Sequence, residues 1–231
     1  MEILKKITKV LKNPKILIVY FGSKGYLKQI PDRKYLEILH KVRMGETLNL
    51  ENPQTFNEKL QWLKLYDRRP EYKDMTDKYE VRKYIASKIG EEYLIPLLGV
   101  WNKFEDINFE HLPEKFVLKC SHDSGSTTIC DKKKGINYKK LKRFFKKKLG
   151  FEYYWKSREW NYHGITPRII AEKYMVDESG TELKDYKIFT FNGKAKIIQV
   201  DIGRFIRHER NIYTTDWELL NVKVKVPSNP Y

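Results

Sequence analysis

The chain has 231 residues, 41% of them hydrophobic, and Lys+Arg 46 against Asp+Glu 30 give it a formal charge of +16. This is a globular composition, long enough for a real core in one large or two small domains, and its basic excess points to an anionic partner without choosing among nucleotide, nucleic acid, acidic glycan and lipid surface. Two cysteines, Cys120 and Cys130, do not make a disulfide-stapled secreted domain, and the lack of Cys-x-x-Cys, His-Glu-x-x-His and Gly-x-x-x-x-Gly-Lys-Ser/Thr argues against zinc sites and P-loop chemistry.

Residues 3–12 read as a basic amphipathic helix, with Ile3, Ile7, Val10 and Leu11 at helical spacing. A helix packed on its own domain is favoured over a membrane-surface helix, because a short basic helix binds bilayers only weakly. The apolar run 16–21 is far too short to span a bilayer, and no small-residue cleavage pattern follows it. Gly22-Ser23-Lys24-Gly25 lacks the third glycine and the distal acid of a dinucleotide loop and reads as a turn.

From Asp32 the chain reads helical, with Tyr35, Leu36, Leu39 and Val42 on one face and Gly45 as the stop. Thr55-Phe56-Asn57-Glu58 is a capping box, opening a helix lined by Phe56, Leu60, Leu63 and Trp62 that ends near Arg68-Arg69-Pro70. Another helix, opened by Asp77-Lys78-Tyr79, carries Val81, Ile85 and Ile89, and residues 94–101 read as a buried extended segment.

Residues 116–120 and 127–130 read as a β-hairpin around a flexible loop of serines, threonines and Gly125, with the two cysteines able to face each other across it. Such a loop can turn backbone N–H groups and hydroxyls toward one anion while Lys119 adds a point charge; an ordinary exposed tip with a surface lysine is the competing reading. Asn137 then caps a helix with Leu141, Phe144, Phe145 and Leu149 on its apolar stripe. Its polar side, Lys139, Lys140, Lys142, Arg143 and Lys146 to Lys148, is either a solvated face or a docking surface for an acidic polymer. The aromatics there belong to the core stripe, so nucleic acid is not expected.

Residues 150–167 are aromatic-rich without a period, and residues 168–176 read as a strand. Residues 185–191 and 195–201 read as paired strands joined at Asn192-Gly193, which places Asp185, Lys187, Phe189 and Phe191 on one face. That set suits a cleft mouth or an exposed cross-strand ion pair. The last segment holds Arg204, Arg207, His208, Glu209 and Arg210, then a Val-rich alternating strand.

The blocks at residues 49–62, 77–82, 116–125, 170–174 and 185–193, in this order, resemble the teichuronopeptide-biosynthesis (TupA-like) ATP-grasp proteins, which are often labelled glycosyltransferases. The resemblance runs from about Asp32 to the end. It implies an α+β fold: a mostly helical region over residues 1–110, then a partial ATP-grasp fold of two α+β lobes with antiparallel sheets, a first lobe with the phosphate-loop hairpin over 111–176 and the start of a second over 177–231. It also implies a cytoplasmic ATP-dependent carboxylate–amine ligase that forms an acylphosphate during cell-surface polysaccharide assembly, with ATP, magnesium and an acidic sugar as partners. Lys119 resembles the phosphate-contacting lysine, and Ser121, Ser124, Gly125 and Ser126 fall in the phosphate loop. Glu172 resembles the acid near the adenine-binding linker. Lys187 and Arg204 resemble the catalytic basic residues of the second lobe, with Asp185 orienting Lys187.

Family members continue with acidic residues that hold magnesium, and no such segment occurs here, so the resemblance implies a fragment or a protein that has lost catalysis. A glycosyltransferase would need a paired-carboxylate metal site, and no Asp-x-Asp is present; a non-catalytic module binding acidic polymers through residues 139–148 is the remaining alternative.

Overall fold

The computed structural model describes residues 14–177, 183–203, 207–222 and 227–228, so the N-terminal basic helix expected at 3–12 and the end of the Val-rich strand lie outside the described residues. The protein is α+β, with two antiparallel sheets in two compact units, Met1–Lys173 and Tyr174–Tyr231. No described helix is long and apolar enough to cross a membrane.

The first unit opens with helices α1 (Lys15–Ser23), α2 (Asp32–Met44), α3 (Phe56–Tyr66), α4 (Glu71–Thr76) and α5 (Val81–Ile89). Helix α2 ends where expected: Gly45 takes φ 82°, the left-handed region that only glycine enters freely, and its N–H closes on the Lys41 carbonyl at 3.0 Å. Its Tyr35, Leu36 and Leu39 bury against Leu48 and Leu50. The capping box of α3 is complete, with Thr55 Oγ1 accepting from the Glu58 N–H and Glu58 accepting from the Thr55 N–H. Those main-chain donors hold the Glu58 carboxyl down to about 2.

Two expectations fail here. The apolar stripe of α3 is not core: Phe56, Leu60, Trp62 and Leu63 are 37–58% exposed, and no residue of α3 is buried. Helix α5 starts only at Val81, not at Asp77, and buries nothing; α4 fills a stretch for which no element was expected, with Pro70 just ahead of its first turn, where a missing N–H costs nothing.

A four-stranded sheet follows, in the order β1–β4–β2–β3: β1 (Leu97–Trp101), β2 (Lys115–Cys120), β3 (Thr128–Asp131) and β4 (Ile169–Lys173). Along β2, Phe116, Leu118 and Cys120 point to one face and Lys115, Val117 and Lys119 to the other, the two-residue period of a strand. Helix α6 (Tyr138–Leu149), capped by Asn137 Oδ1 on the Lys140 N–H at 2.9 Å, lays Leu141 and Phe145 on the first face together with Ile169 and Ala171. Cys130 stands opposite Phe116, so it is not across from Cys120, and both thiols are free and buried. Burial pushes them up to about 12 for Cys120 and about 11 for Cys130.

The aromatic stretch contains α7 (Tyr154–Ser157), followed by Arg158 at φ 54° and only 1% exposed. Its guanidinium lies 3.3 Å from Asp32 Oδ1, donates to the Leu27 and Ile30 carbonyls at 2.8 and 3.2 Å, and sits over the Tyr35 and Trp155 rings. Arg68 and the Tyr154 hydroxyl take the other Asp32 oxygen. A buried cation is tolerable only with this many acceptors, and the arrangement latches the aromatic stretch to α2.

The second unit is the sheet β5 (Asp185–Phe191), β6 (Lys194–Ile202) and β7 (Glu209–Tyr213). Asn192 and Gly193, at φ 50° and 74°, make the expected tight hairpin turn.

Candidate functional site

In the first unit the site begins on the sheet face opposite α6. Lys119 Nζ lies 2.5 Å from Glu172 Oε2, and Arg82 of α5 reaches the other Glu172 oxygen at 3.7 Å. Glu172 is buried and Lys119 keeps 19% of its side chain exposed, so the ammonium is the part of the pair that solvent can reach.

The hairpin loop is not the exposed flexible tip expected from its composition. Ser121, His122, Asp123 and Ser126 are buried, and only Ser124 and Gly125 reach the surface. Two other segments hold it in place, and Ser126 ties it internally. Lys78 donates to the carbonyls of Cys120 at 3.1 Å, Ser121 at 3.3 Å and Asp123, while its own N–H donates to Ser121 O at 3.1 Å. From the last turn of α6, Lys148 lies 3.2 Å from Asp123 Oδ2 and donates to Gly125 O at 3.3 Å. Ser126 Oγ donates to Asp123 Oδ1 and accepts from the Cys120 N–H at 2.8 Å.

Burial lowers the Lys78 pKa, with Asp123 pulling the other way. Burial also lowers that of His122, whose Nε2 must donate to the Lys148 carbonyl at 3.2 Å, since a carbonyl only accepts. The Ser121 hydroxyl is buried with no hydrogen-bond partner among the described residues. Gly125 takes φ 90° with open space where a side chain would stand, a conformation other residues adopt only under strain.

Of the sequence candidates in this unit, Lys119, Glu172 and the 121–126 loop therefore lie on or beside β2. Ser124 and Gly125 are exposed; the Ser121 and Ser126 hydroxyls are turned inward. An anchored loop beside ammonium groups fits an anion such as a polyphosphate. Among the described residues no group of three or more His, Cys, Asp or Glu side chains could hold a metal ion.

In the second unit, Asp185 does pair with Lys187, at 2.5 Å, but the centre of the cluster is Asp201. This buried carboxylate accepts from Lys187 Nζ at 2.9 Å, Gln199 Nε2 at 2.8 Å and Arg210 Nε at 2.6 Å, and His208 Nε2 lies at 2.9 Å. Burial alone would raise its pKa; the hydrogen bonds from Arg210, Lys187, His208 and Gln199 override that and hold the carboxyl well below the usual carboxylate range. Lys187 is correspondingly raised: burial opposes its charge, and Asp185 and Asp201 outweigh it. Arg204 lies outside the described residues.

Sequence reasoning missed Lys78, Lys148, Asp201 and Arg210. For Lys78 a signal existed, since it sits in the Asp77-Lys78-Tyr79 block. For Asp201 the signal was masked by a register shift between Phe189 and Thr190. Counting back evenly from Asn192-Gly193 would set Asp185 opposite Val200 and put Asp201 on the other face; the bulge moves the register by one and brings Asp201 opposite Asp185.

No curated protein and no solved structure matches the chain. The family model for TupA-like ATPgrasp proteins matches residues 58–229, which takes in the hairpin loop, Lys119, Glu172 and the Asp201 cluster, and the chain belongs to that family.

Proposed function

We propose that the protein is an ATP-dependent carboxylate–amine ligase of cell-surface polysaccharide assembly, acting in the cytoplasm on an acidic sugar. The observation that carries this reading is the Lys119–Glu172 pair beside an anchored loop whose surface residues are Ser124 and Gly125. Lys119 offers a point charge to the phosphates, and Glu172 orients it. The 121–126 loop presents its tip to the same anion. For the second unit, considered by itself, the proposal gives Lys187, held by Asp185 and Asp201, and Arg204 the task of supplying positive charge to phosphoryl oxygens.

In the reaction a carboxylate oxygen attacks the γ-phosphorus and ADP leaves. The amine then attacks the acyl carbon, loses a proton and expels inorganic phosphate. Positioning and charge neutralisation supply most of the rate in such transfers, which is what a pinned loop and oriented lysines provide.

The test incubates the protein with magnesium-ATP, glucuronic acid and hydroxylamine. A ligase releases ADP and leaves a hydroxamate, because hydroxylamine captures the acylphosphate. ADP release that does not depend on the acid, or none at all, contradicts the reading.

One observation favours a second reading, a module that binds acidic polymers. Lys139, Lys140, Lys142, Arg143, Lys146 and Lys147 all lie exposed on α6. Salt-sensitive retention on an acidic polysaccharide matrix, with no nucleotide binding, would favour it.

A further inference from the structure

A second cavity-based site lies in the first unit, in a hollow of about 620 Å³ between α3, α4 and residues 159–161 that none of residues 119–126 lines. One wall is apolar: Leu60, Leu63 and Met75, each more than a third exposed, face it, so two residues of the unburied α3 stripe line it. The polar lining is Lys64, Asp67, Glu159 and Asn161. Lys64 Nζ donates to Gln61 and to the Ser157 carbonyl, the Asp67 oxygens accept from Arg69 and Tyr72, Glu159 Oε1 accepts from Ser157, and Asn161 Nδ2 donates to Thr76, so what the wall offers a ligand is acceptor capacity at Glu159 and at the Asn161 carbonyl oxygen. Trp160 also lines the hollow. Its ring is held by two cations, Lys73 at 4.4 Å and Arg68 at 5.0 Å from the ring centre, yet its indole N–H is buried without a hydrogen-bond partner among the described residues.

These features select among ligand classes. A phosphate or other compact anion would meet the Asp67 and Glu159 carboxylates. A purely apolar ligand would strip water from three ionised groups with nothing in return. A sugar ring answers both walls: its hydroxyls donate to carboxylate and amide oxygens, and its C–H face is apolar.

We infer that the hollow between α3, α4 and Trp160 is a saccharide-binding site, with Glu159 and the Asn161 carbonyl oxygen accepting from sugar hydroxyls and Leu63 and Met75 against the ring. The site goes beyond the nucleotide reading and does not depend on it.

The test follows the indole N–H resonances of the full 15N-labelled chain, with Trp160 assigned from Trp160→Phe. Glucose, N-acetylglucosamine, glucuronic acid and, as the anion control, inorganic phosphate are titrated at millimolar concentration without nucleotide. The expected result is a saturable shift of the Trp160 resonance by at least one sugar and not by phosphate, with affinity lowered about tenfold or more in Met75→Trp, which fills the hollow from an exposed wall. Leu63→Trp serves equally should Met75→Trp not melt like the parent. No saturable shift from any sugar, a shift from phosphate alone, or an unchanged affinity in the folded filled variant overturns the assignment.

Discussion

Lys119 on β2 and Glu172 on β4 meet at 2.5 Å although they are not register partners: Lys119 stands opposite Ile170 and Glu172 opposite Val117. The contact is the diagonal one that long side chains make across an antiparallel pair, and it leaves the lysine at the more exposed end. The structural role of this pair can be separated from the ligand-binding role proposed for it.

Lys119→Met removes the nearer cation from a buried carboxylate and leaves Arg82 at 3.7 Å as partial compensation. The expected loss is about 2 kcal/mol in urea unfolding. Adding Glu172→Met should return most of that stability, because two apolar side chains replace the pair, without restoring nucleotide binding. Recovery of both together would mean that Lys119 matters only for folding.

Asp201 predicts an acid-sensitive second sheet. Its folded pKa is depressed, so its contribution is complete above the ordinary carboxylate value near ~4 and declines as pH falls through and below it. Asp201→Asn should cost about 3 kcal/mol at neutral pH, since it leaves Lys187 and Arg210 without their shared acceptor, and the variant should lose less stability than the parent on going to acid. Denaturant unfolding across the acid range, read from the second unit, checks both the sign and the size.

Lys78 predicts a loop-specific effect. Lys78→Met removes the ammonium that donates to three carbonyls of the 120–123 backbone, of which only Ser121 O keeps a donor from residue 78, its main-chain N–H, at a cost of about 1–3 kcal/mol. Amide exchange over residues 121–126 should accelerate by more than exchange in α6, whose packing on the sheet through Leu141 and Phe145 is untouched. Equal acceleration in both would show that Lys78 supports the whole unit rather than the loop.

The exposed cations of α6 give the contrasting case. Lys139→Gln with Lys140→Gln should change stability by no more than about 0.5 kcal/mol and leave ATP affinity as it was. A comparable loss of ATP binding would shift the nucleotide away from Lys119.

Local signals carried most of the elements. The Thr55–Glu58 box, Gly45, Asn137 and Asn192-Gly193 each do their work within a few residues, so their geometry follows from their spacing alone. What escaped depends on contacts distant in sequence. Residues 121–126 have the composition of an exposed tip, yet Ser121, His122, Asp123 and Ser126 are buried because Lys78 and Lys148 approach from elsewhere in the chain. Asp201 joins Lys187 only through a one-residue bulge that no composition records. The α3 stripe reads as core by period, and tertiary structure leaves it lining an open hollow.

Nucleotide binding through Lys119 is the claim on which the rest of the account turns, and calorimetric titration of magnesium-ATP into the parent chain and the Lys119→Met/Glu172→Met variant tests it most directly. The account predicts saturable one-site binding by the parent and at least about tenfold weaker binding by a variant that unfolds at the same denaturant concentration. No heat of binding in the parent, or equal affinity in the two, would contradict it.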